Sequence, residues 1–349
     1  MAYTDIDKPS DYFNTVLYTG NGNSGHAISG LDFQPDFVWT KRRDSSSGHH
    51  VHNSISGATK YIFPNDDAAE STDANKLSSF NSDGFTVGTN GDANTDGGTF
   101  VAWNWKAGTS FTNDASATGI GTIDSTGSVN NDSGFSIVSF TGTGSNGTIK
   151  HGLSTAPNIF FIKRLDADND WRVGSDGLTN WTKHINLNTT AAESDLASAF
   201  NSTAPTSSVF SVGTSASTNA SGGTFIAYCF ASIKGYSKIG GSYTGNGNAD
   251  GTFVYTGFKP AFILAKDADS SDNWIIHDTT RNPSNPVGAY LRPNLSSAEG
   301  TFSHYDILSN GFKNLYAGGS LNGSGKNIIY MAFAENPFVT STGVPTTAR

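Results

Sequence analysis

"YTGNGN" occupies residues 18–23 and recurs unchanged at 243–248, with a near copy, "FTGTGS", at 140–145. Either its glycines cradle a phosphate or the chain is one structural unit written three times. The wider alignment decides between them. From Tyr18, Phe140 and Tyr243 a proline follows 17 residues on, at Pro35, Pro157 and Pro260. Lys41, Lys163 and Lys266 then fall at 23, and Asp44, Asp166 and Asp269 at 26. Asn65, Asn188 and Asn294 stand five residues before Glu70, Glu193 and Glu299. Each copy closes on an apolar run: "TFVAWNW", "TFIAYCF" or "NIIYMAF".

The copies begin 122 and 103 residues apart. Solenoid units run to about 20–50 residues, so each copy reads as a domain. The expected division is 1–108, a Ser/Thr/Gly/Asn-rich linker at 109–132, then 133–234, 235–337 and a polar tail at 338–349. With no linker between the second and third copies, the first is expected to move independently, and 133–349 to fold without it.

"GNGNSG" at 20–25 satisfies the dinucleotide pattern literally, but a phosphate site needs a helix directly after it. Here Gly30 and Pro35 follow, then the strand-like "FVW". The stretch reads as a hairpin turn in which Asn-Gly tolerates positive φ.

Short alternating runs such as "GFTVGT" and "SVFSVGT", punctuated by "NG", "DG" and "SGG", are strand and turn signals. Only "DDAAESTDANKLSSF" and "TTAAESDLASAF" look helical. The expected fold is all-β: three tandem β-sandwich, jelly-roll-like domains with a short helix in some copies.

Twenty-one Lys and Arg against 30 Asp and Glu leave a net charge of −9, which argues against nucleic acid or an anionic membrane as partner. No run approaches the ~20 apolar residues of a membrane span, and no export signal is visible, so a soluble chain is expected. Cys229, the only cysteine, sits in "FIAYCF" and reads as a small core residue.

"HHVH" invites a metal reading because His50 and His52 share a strand face. The second copy has Trp171, Arg172 and Gly174 at the places of His49, His50 and His52, and the third has Trp274, Ile275 and His277. Polar strand surface is the simpler account. "DADND" (166–170) and "DADSSD" (267–272) resemble calcium-loop fragments but lack the closing glutamate. The repeated Asp and Glu could pair as glycosidase carboxylates, yet three copies of a catalytic pair are harder to explain than capping of a short helix. No catalytic, cofactor or metal residue is therefore expected. His49, His50, His52 and Trp181, where the first copy has Ala58, are the candidate partner or glycan contacts.

"YTGNG", "FQPDFVWTKRRD", "SFNSDGFTVGT", "GGTFVAWNWKAG", "APTSSVFSVGT", "GYSKIGGSYTGNGNADGTFVYTGFKPAFIL" and "AFAENPFVTSTGVPTTAR" together resemble a repeat domain of undefined function. It occurs in virion proteins of tailed bacteriophages, especially marine ones. The likeness spans essentially the whole chain and is most specific from Gly235 onward. It implies a non-catalytic virion protein, a tail fibre or receptor-contacting appendage. A homotrimer touching other virion proteins and a host surface glycan or receptor would fit that role. A capsid decoration or head-fibre protein is the alternative within that class. A carbohydrate-binding lectin module and a polysaccharide depolymerase are the alternatives outside it.

Overall fold

Thr99–Trp105, Thr224–Phe230 and Asn327–Pro337 are the strands on which the architecture rests. In the computed structural model, which describes residues 3–346, each lies between two antiparallel partners. One partner opens the repeat: Phe13–Thr19, Phe135–Thr141 or Ser237–Thr244. The other carries the repeated lysine: Phe37–Arg42, Ile159–Arg164 or Phe258–Asp267. Register agrees across the copies. Trp39 pairs with Trp103, Phe161 with Tyr228, and Leu264 with Met331. The equivalences read from the sequence hold to the residue.

The protein is almost all β, with several discrete sheets and helices of a single turn. Successive strand residues face opposite ways, so a strand that is apolar throughout must be buried on both faces. Val101, Trp103 and Trp105 share one hydrophobic cluster with Ile226, Tyr228 and Phe230 and with Ile329, Met331 and Phe333. The residues between them fill local cores instead. Ala102 packs with Phe85 and Val87, Cys229 with Phe210 and Val212, and Tyr330 with Tyr305 and Phe312. Each repeat thus packs one face of its inner sheet against its own outer strands and offers the other to a core built by all three.

This changes the expected organisation. The repeats are not three independent cores, because Phe13, Phe37, Trp39, Trp103 and Trp105 of the first belong to the shared cluster. Residues 109–132 are not a linker either. Thr109–Asn113 and Ser125–Asn130 add two antiparallel strands to the inner sheet of the second repeat, joined by the turn of helix Ala115–Thr118. The stretch reads as flexible because it is polar. Yet Ser125 and Ser128 are buried, Ser128 Oγ accepts from Gly108 N at 2.9 Å, and Phe111 packs on the local core. Of the tail, residues 338–346 turn back on the N-terminal segment, where Ser341 N donates to Asp7 at 2.7 Å; residues 347–349 lie outside the described residues.

The repeated hexapeptide is not a hairpin. It carries the chain from the inner-sheet strand Phe13–Thr19 to His26–Ser29 of the outer sheet. Its backbone docks on Asn94, which accepts from Asn21 N at 2.9 Å and donates to Asn23 O at 2.8 Å and Gly88 O at 2.7 Å. Asn219 and Asn322 do the same in the other copies. A Cβ on Gly20 would collide with Thr95 O, and Gly22 has φ +67°, so both places require glycine. The expected helix at 66–80 is absent and that at 189–200 shrinks to Ala197–Phe200. The backbone there bonds across the repeats instead, as described below.

Two outcomes are expected. Because a shared core cannot form from two repeats, fragment 133–349 should be insoluble or unfold without a cooperative transition in circular dichroism; a sharp transition would restore the independent-domain reading. Trp103→Ala removes a fully buried indole from that core and should cost about 3–5 kcal/mol in denaturant unfolding of the full chain.

Candidate functional site

The polar residues that recur in all three copies meet at the seams between repeats. Glu70 N donates to Leu165 O at 2.9 Å, Glu193 N to Ala268 O at 2.7 Å, and Glu299 N to Arg43 O at 2.8 Å. In each case the acceptor lies two residues after the repeated lysine of the next copy. First joins second, second joins third, and third joins first: the chain closes a ring with internal threefold pseudosymmetry. A second contact follows the same order. Trp171 Nε1 donates to Phe63 O and Trp274 Nε1 to Asn186 O, both at 2.8 Å.

The Asn and Asp of each copy hold this geometry. Asn65, Asn188 and Asn294 accept from the backbone amides of His49, Trp171 and Trp274. A helix would withdraw them from that bond, which is why none forms. Asp166 accepts from Thr224 N and Asp269 from Asn327 N, fixing the first residue of the central strand. Lys41, Lys163 and Lys266 are fully buried, and each gives its ammonium to two backbone carbonyls. Lys163 takes one of its carbonyls, Asp67 O at 2.8 Å, from the neighbouring repeat. Burial pushes all three down to about 8. The three ammoniums are consumed in cohesion, and the Asp44 and Asp166 carboxylates pair locally with Arg42 and Arg164.

Side chains differ at the third seam. Trp103 Nε1 donates to Asp278 at 2.9 Å, Arg281 bridges Asp278 and Glu299, and Arg43 grips both Glu299 oxygens at 2.8 and 2.9 Å. Burial opposes the charge on Glu299, but the Arg43 hydrogen bonds and the Arg281 charge outweigh it and hold the carboxyl below its usual range. The corresponding place between first and second repeats has a neutral bond, Asn53 Nδ2 to Tyr228 Oη at 3.0 Å.

The four residues expected as partner contacts are not placed for that role. His49, His50 and His52 are buried. His49 Nδ1 accepts from Trp39 Nε1 at 2.9 Å, His50 Nε2 accepts from Lys76 Nζ at 2.7 Å, and His52 Nδ1 donates to Ala58 O at 2.8 Å. The strand carrying them is covered on both faces, which its polar letters concealed. Burial, with nearby cations, drives His49 and His50 far below the ordinary histidine value, and burial lowers His52 to about 4. Trp181 is half-buried and stacks on Phe160, with centroids 5.6 Å apart and planes within 10°. Its ring also fills the space beside Gly174. The first copy pairs a large His52 with a small Ala58; the second pairs a small Gly174 with a large Trp181. The unmatched tryptophan is an exchange of volume.

Among the described residues, no group of three or more His, Cys, Asp or Glu is gathered as a metal set. Asp170 of the first acidic loop is bound by Asn186 and Asn188, and Asp267 of the second caps Asp269 N. The shared core holds an apolar cavity of ≈ 20 Å³, room for about one water-sized probe and no ligand. Among the described residues, no helix is long and apolar enough to cross a membrane. The aromatics that do face solvent were missed from the sequence: Phe253, Tyr255 and Phe302, all in the third repeat. Alternation in "TFVYTG" was the signal for Phe253 and Tyr255.

A family profile described as "Domain of unknown function (DUF7483)" matches residues 8–337. The chain belongs to that family. The DUF7483 match runs through all three repeats as one unit and stops where the tail begins, in keeping with a ring that closes only when all three are present. No curated protein matches the chain in sequence.

Stability should fall on mild acidification. His52, His151, His184 and His304 are lowered by burial to about 4, and His49, His50 and His277 further. Unfolding returns them to about 6.5, so below that value the unfolded chain binds more protons than the folded one. Their contribution is fully present above about pH 6.5 and is lost as pH falls toward 4. Glu299 adds a further loss below about 4.5, its unfolded value. Calorimetry from about pH 7.5 to 4 should show a steadily falling Tm; a flat profile between about 7 and 5 would contradict the buried neutral histidines. Glu299→Gln should remove part of the loss below about 4.5 only.

Proposed function

We propose that this protein is a non-catalytic structural component of a bacteriophage virion, a tail fibre or receptor-contacting appendage. The observation that carries this reading is the closed ring. Backbone bonds from Glu70, Glu193 and Glu299 join each repeat to the next, and the largest aromatics are spent on a core common to all three. Such a body resists unfolding as a unit, which suits an appendage exposed outside a cell. The resemblance of the repeats to a domain of tailed-phage virion proteins points the same way. Each repeat, with an inner sheet packed on outer strands, is read as a jelly-roll-like β-sandwich.

The ring also bears on assembly. A fibre protein reaches three lobes by trimerising, whereas one chain here already supplies three, with its large apolar side chains mostly turned inward. We read the chain as entering the particle as a single-chain unit, in place of the homotrimer that the resemblance favours. Light scattering should then give about the mass of one chain, 36.7 kDa; three times that mass would restore the homotrimer.

Immunogold labelling of purified particles with an antibody to this chain should mark a tail or tail tip. Labelling over the head would favour capsid decoration, and no labelling would remove the virion reading. Host surface polysaccharide incubated with the protein should keep its chain length; release of oligosaccharides would support the depolymerase alternative.

A further inference from the structure

The surface of an acidic protein carries a concavity whose charged lining, among the described residues, is wholly basic. It has a volume of ≈ 370 Å³, the lower end of the range for small-ligand sites, and room for one or two sugar rings. Tyr3, Lys234, Lys238, Tyr255 and Thr256 are among the residues around it, and no carboxylate is. The chain as a whole bears −9. Two other open concavities lack this bias. A groove of ≈ 300 Å³ between the first and third repeats carries Glu335 as well as Lys259, 2.7 Å apart. One of ≈ 290 Å³ beside the second repeat carries Asp114 and Asp124.

The aromatic side of the concavity is ordered in advance. Tyr3 Oη donates to Gly257 O at 3.0 Å and lies 3.0 Å from Tyr255 Oη, and Lys234 Nζ sits 5.4 Å from the centre of the Tyr3 ring. Tyr255 is 57% exposed although its hydroxyl is bonded to that of Tyr3, so its ring is held out to solvent. Phe253–Tyr255 is the edge strand of its sheet. In the second repeat the outer strand Gly147–Lys150 is covered at this end, where Ile123 of the inserted stretch bridges Ile149 and Phe111 lies against Gly152. The third repeat has no such insertion, which leaves its edge and the two tyrosines open.

From this geometry we propose that the concavity binds a carboxylated sugar, a uronic-acid-type unit of an acidic polysaccharide. A tyrosine ring offers a flat apolar face to the C–H face of a pyranose and a hydroxyl at its rim. Lys238, exposed on the rim, supplies positive charge for the carboxylate. The excess of negative charge elsewhere makes this patch the favoured landing place for an anion. The inference rests on the reading of the chain as a receptor-contacting appendage and names what that contact recognises.

The test uses the full-length chain, with trigalacturonate as acidic probe and maltotriose as neutral probe, in calorimetric titration at low salt. Trigalacturonate should bind, maltotriose at least about tenfold more weakly, and the acidic probe should lose affinity as salt shortens the screening length from about 10 Å at 0.1 M to about 3 Å at 1 M. Lys238→Glu should weaken trigalacturonate at least about tenfold. Tyr255→Ala should abolish binding while Tyr255→Phe, which keeps the ring, retains it. Each variant is first checked for an unchanged Tm, and Lys238→Ala replaces Lys238→Glu if the charge reversal unfolds the chain. Absence of binding, equal binding of both probes, or affinity unchanged in Lys238→Glu and Tyr255→Ala overturns the proposal. Failure here leaves the immunogold result intact, and particles that do not label leave the titration intact, so the two readings fall separately.

Discussion

Three strands buried on both faces set the terms for everything else in this protein. In Thr99–Trp105, Thr224–Phe230 and Asn327–Pro337, alternate residues enter alternate cores. No repeat can therefore satisfy its own central strand. With its neighbours removed, Val101, Trp103 and Trp105 would face water, and burial of such side chains contributes about 1.5–3 kcal/mol each relative to exposure. Against a total stability of about 5–15 kcal/mol, losing one shared face is decisive. Cooperation among the repeats follows from the pleat of a single strand in each.

Closure of the ring adds direction to that core. Apolar packing is not directional, and three sheets could meet in several arrangements. The seam bonds from Glu70, Glu193 and Glu299 amides to Leu165, Ala268 and Arg43 carbonyls select one of them, because each requires the next repeat at a fixed register. The buried lysines satisfy loop carbonyls that would otherwise be stranded beside the core. At the third seam, Asp278, Arg281, Glu299 and Arg43 replace the neutral Asn53–Tyr228 bond of the first. That network gives the junction of the last repeat with the first charged side-chain contacts in place of a neutral one. The N-terminal segment reinforces the same closure, since Thr4 donates to Lys234 O at 3.1 Å and Ile6 enters the shared core.

Divergence among the copies is concentrated where the scaffold permits it. His52 with Ala58 and Gly174 with Trp181 show that even a buried place tolerates change when volume is conserved across the pair. Chemistry available to a partner differs from copy to copy through what each edge carries. The second repeat covers its edge with an inserted pair of strands, whereas the third leaves Phe253 and Tyr255 in the open.

Local chemistry was legible from the sequence wherever the signal lay within one copy or recurred in all three. The all-β character followed from turn residues and alternation, and the equivalence of the closing strands followed from the spacing of the repeats. Gly20 showed its recurrence but not its close approach to the backbone at Asn94 and Thr95, which lies far away in the chain. The partner-contact residues were misjudged for a related reason: "HHVH" is polar by letter, and burial depends on what covers a strand, not on its own side chains. The same holds for 109–132, polar in composition yet paired along its length. By itself the sequence determined the strands and their equivalence, because these follow from period, spacing and hydrophobicity along the chain. Only the tertiary structure decided that the three second faces are buried against one another in a closed ring. That outcome depends on contacts between residues more than a hundred positions apart, which no local pattern encodes.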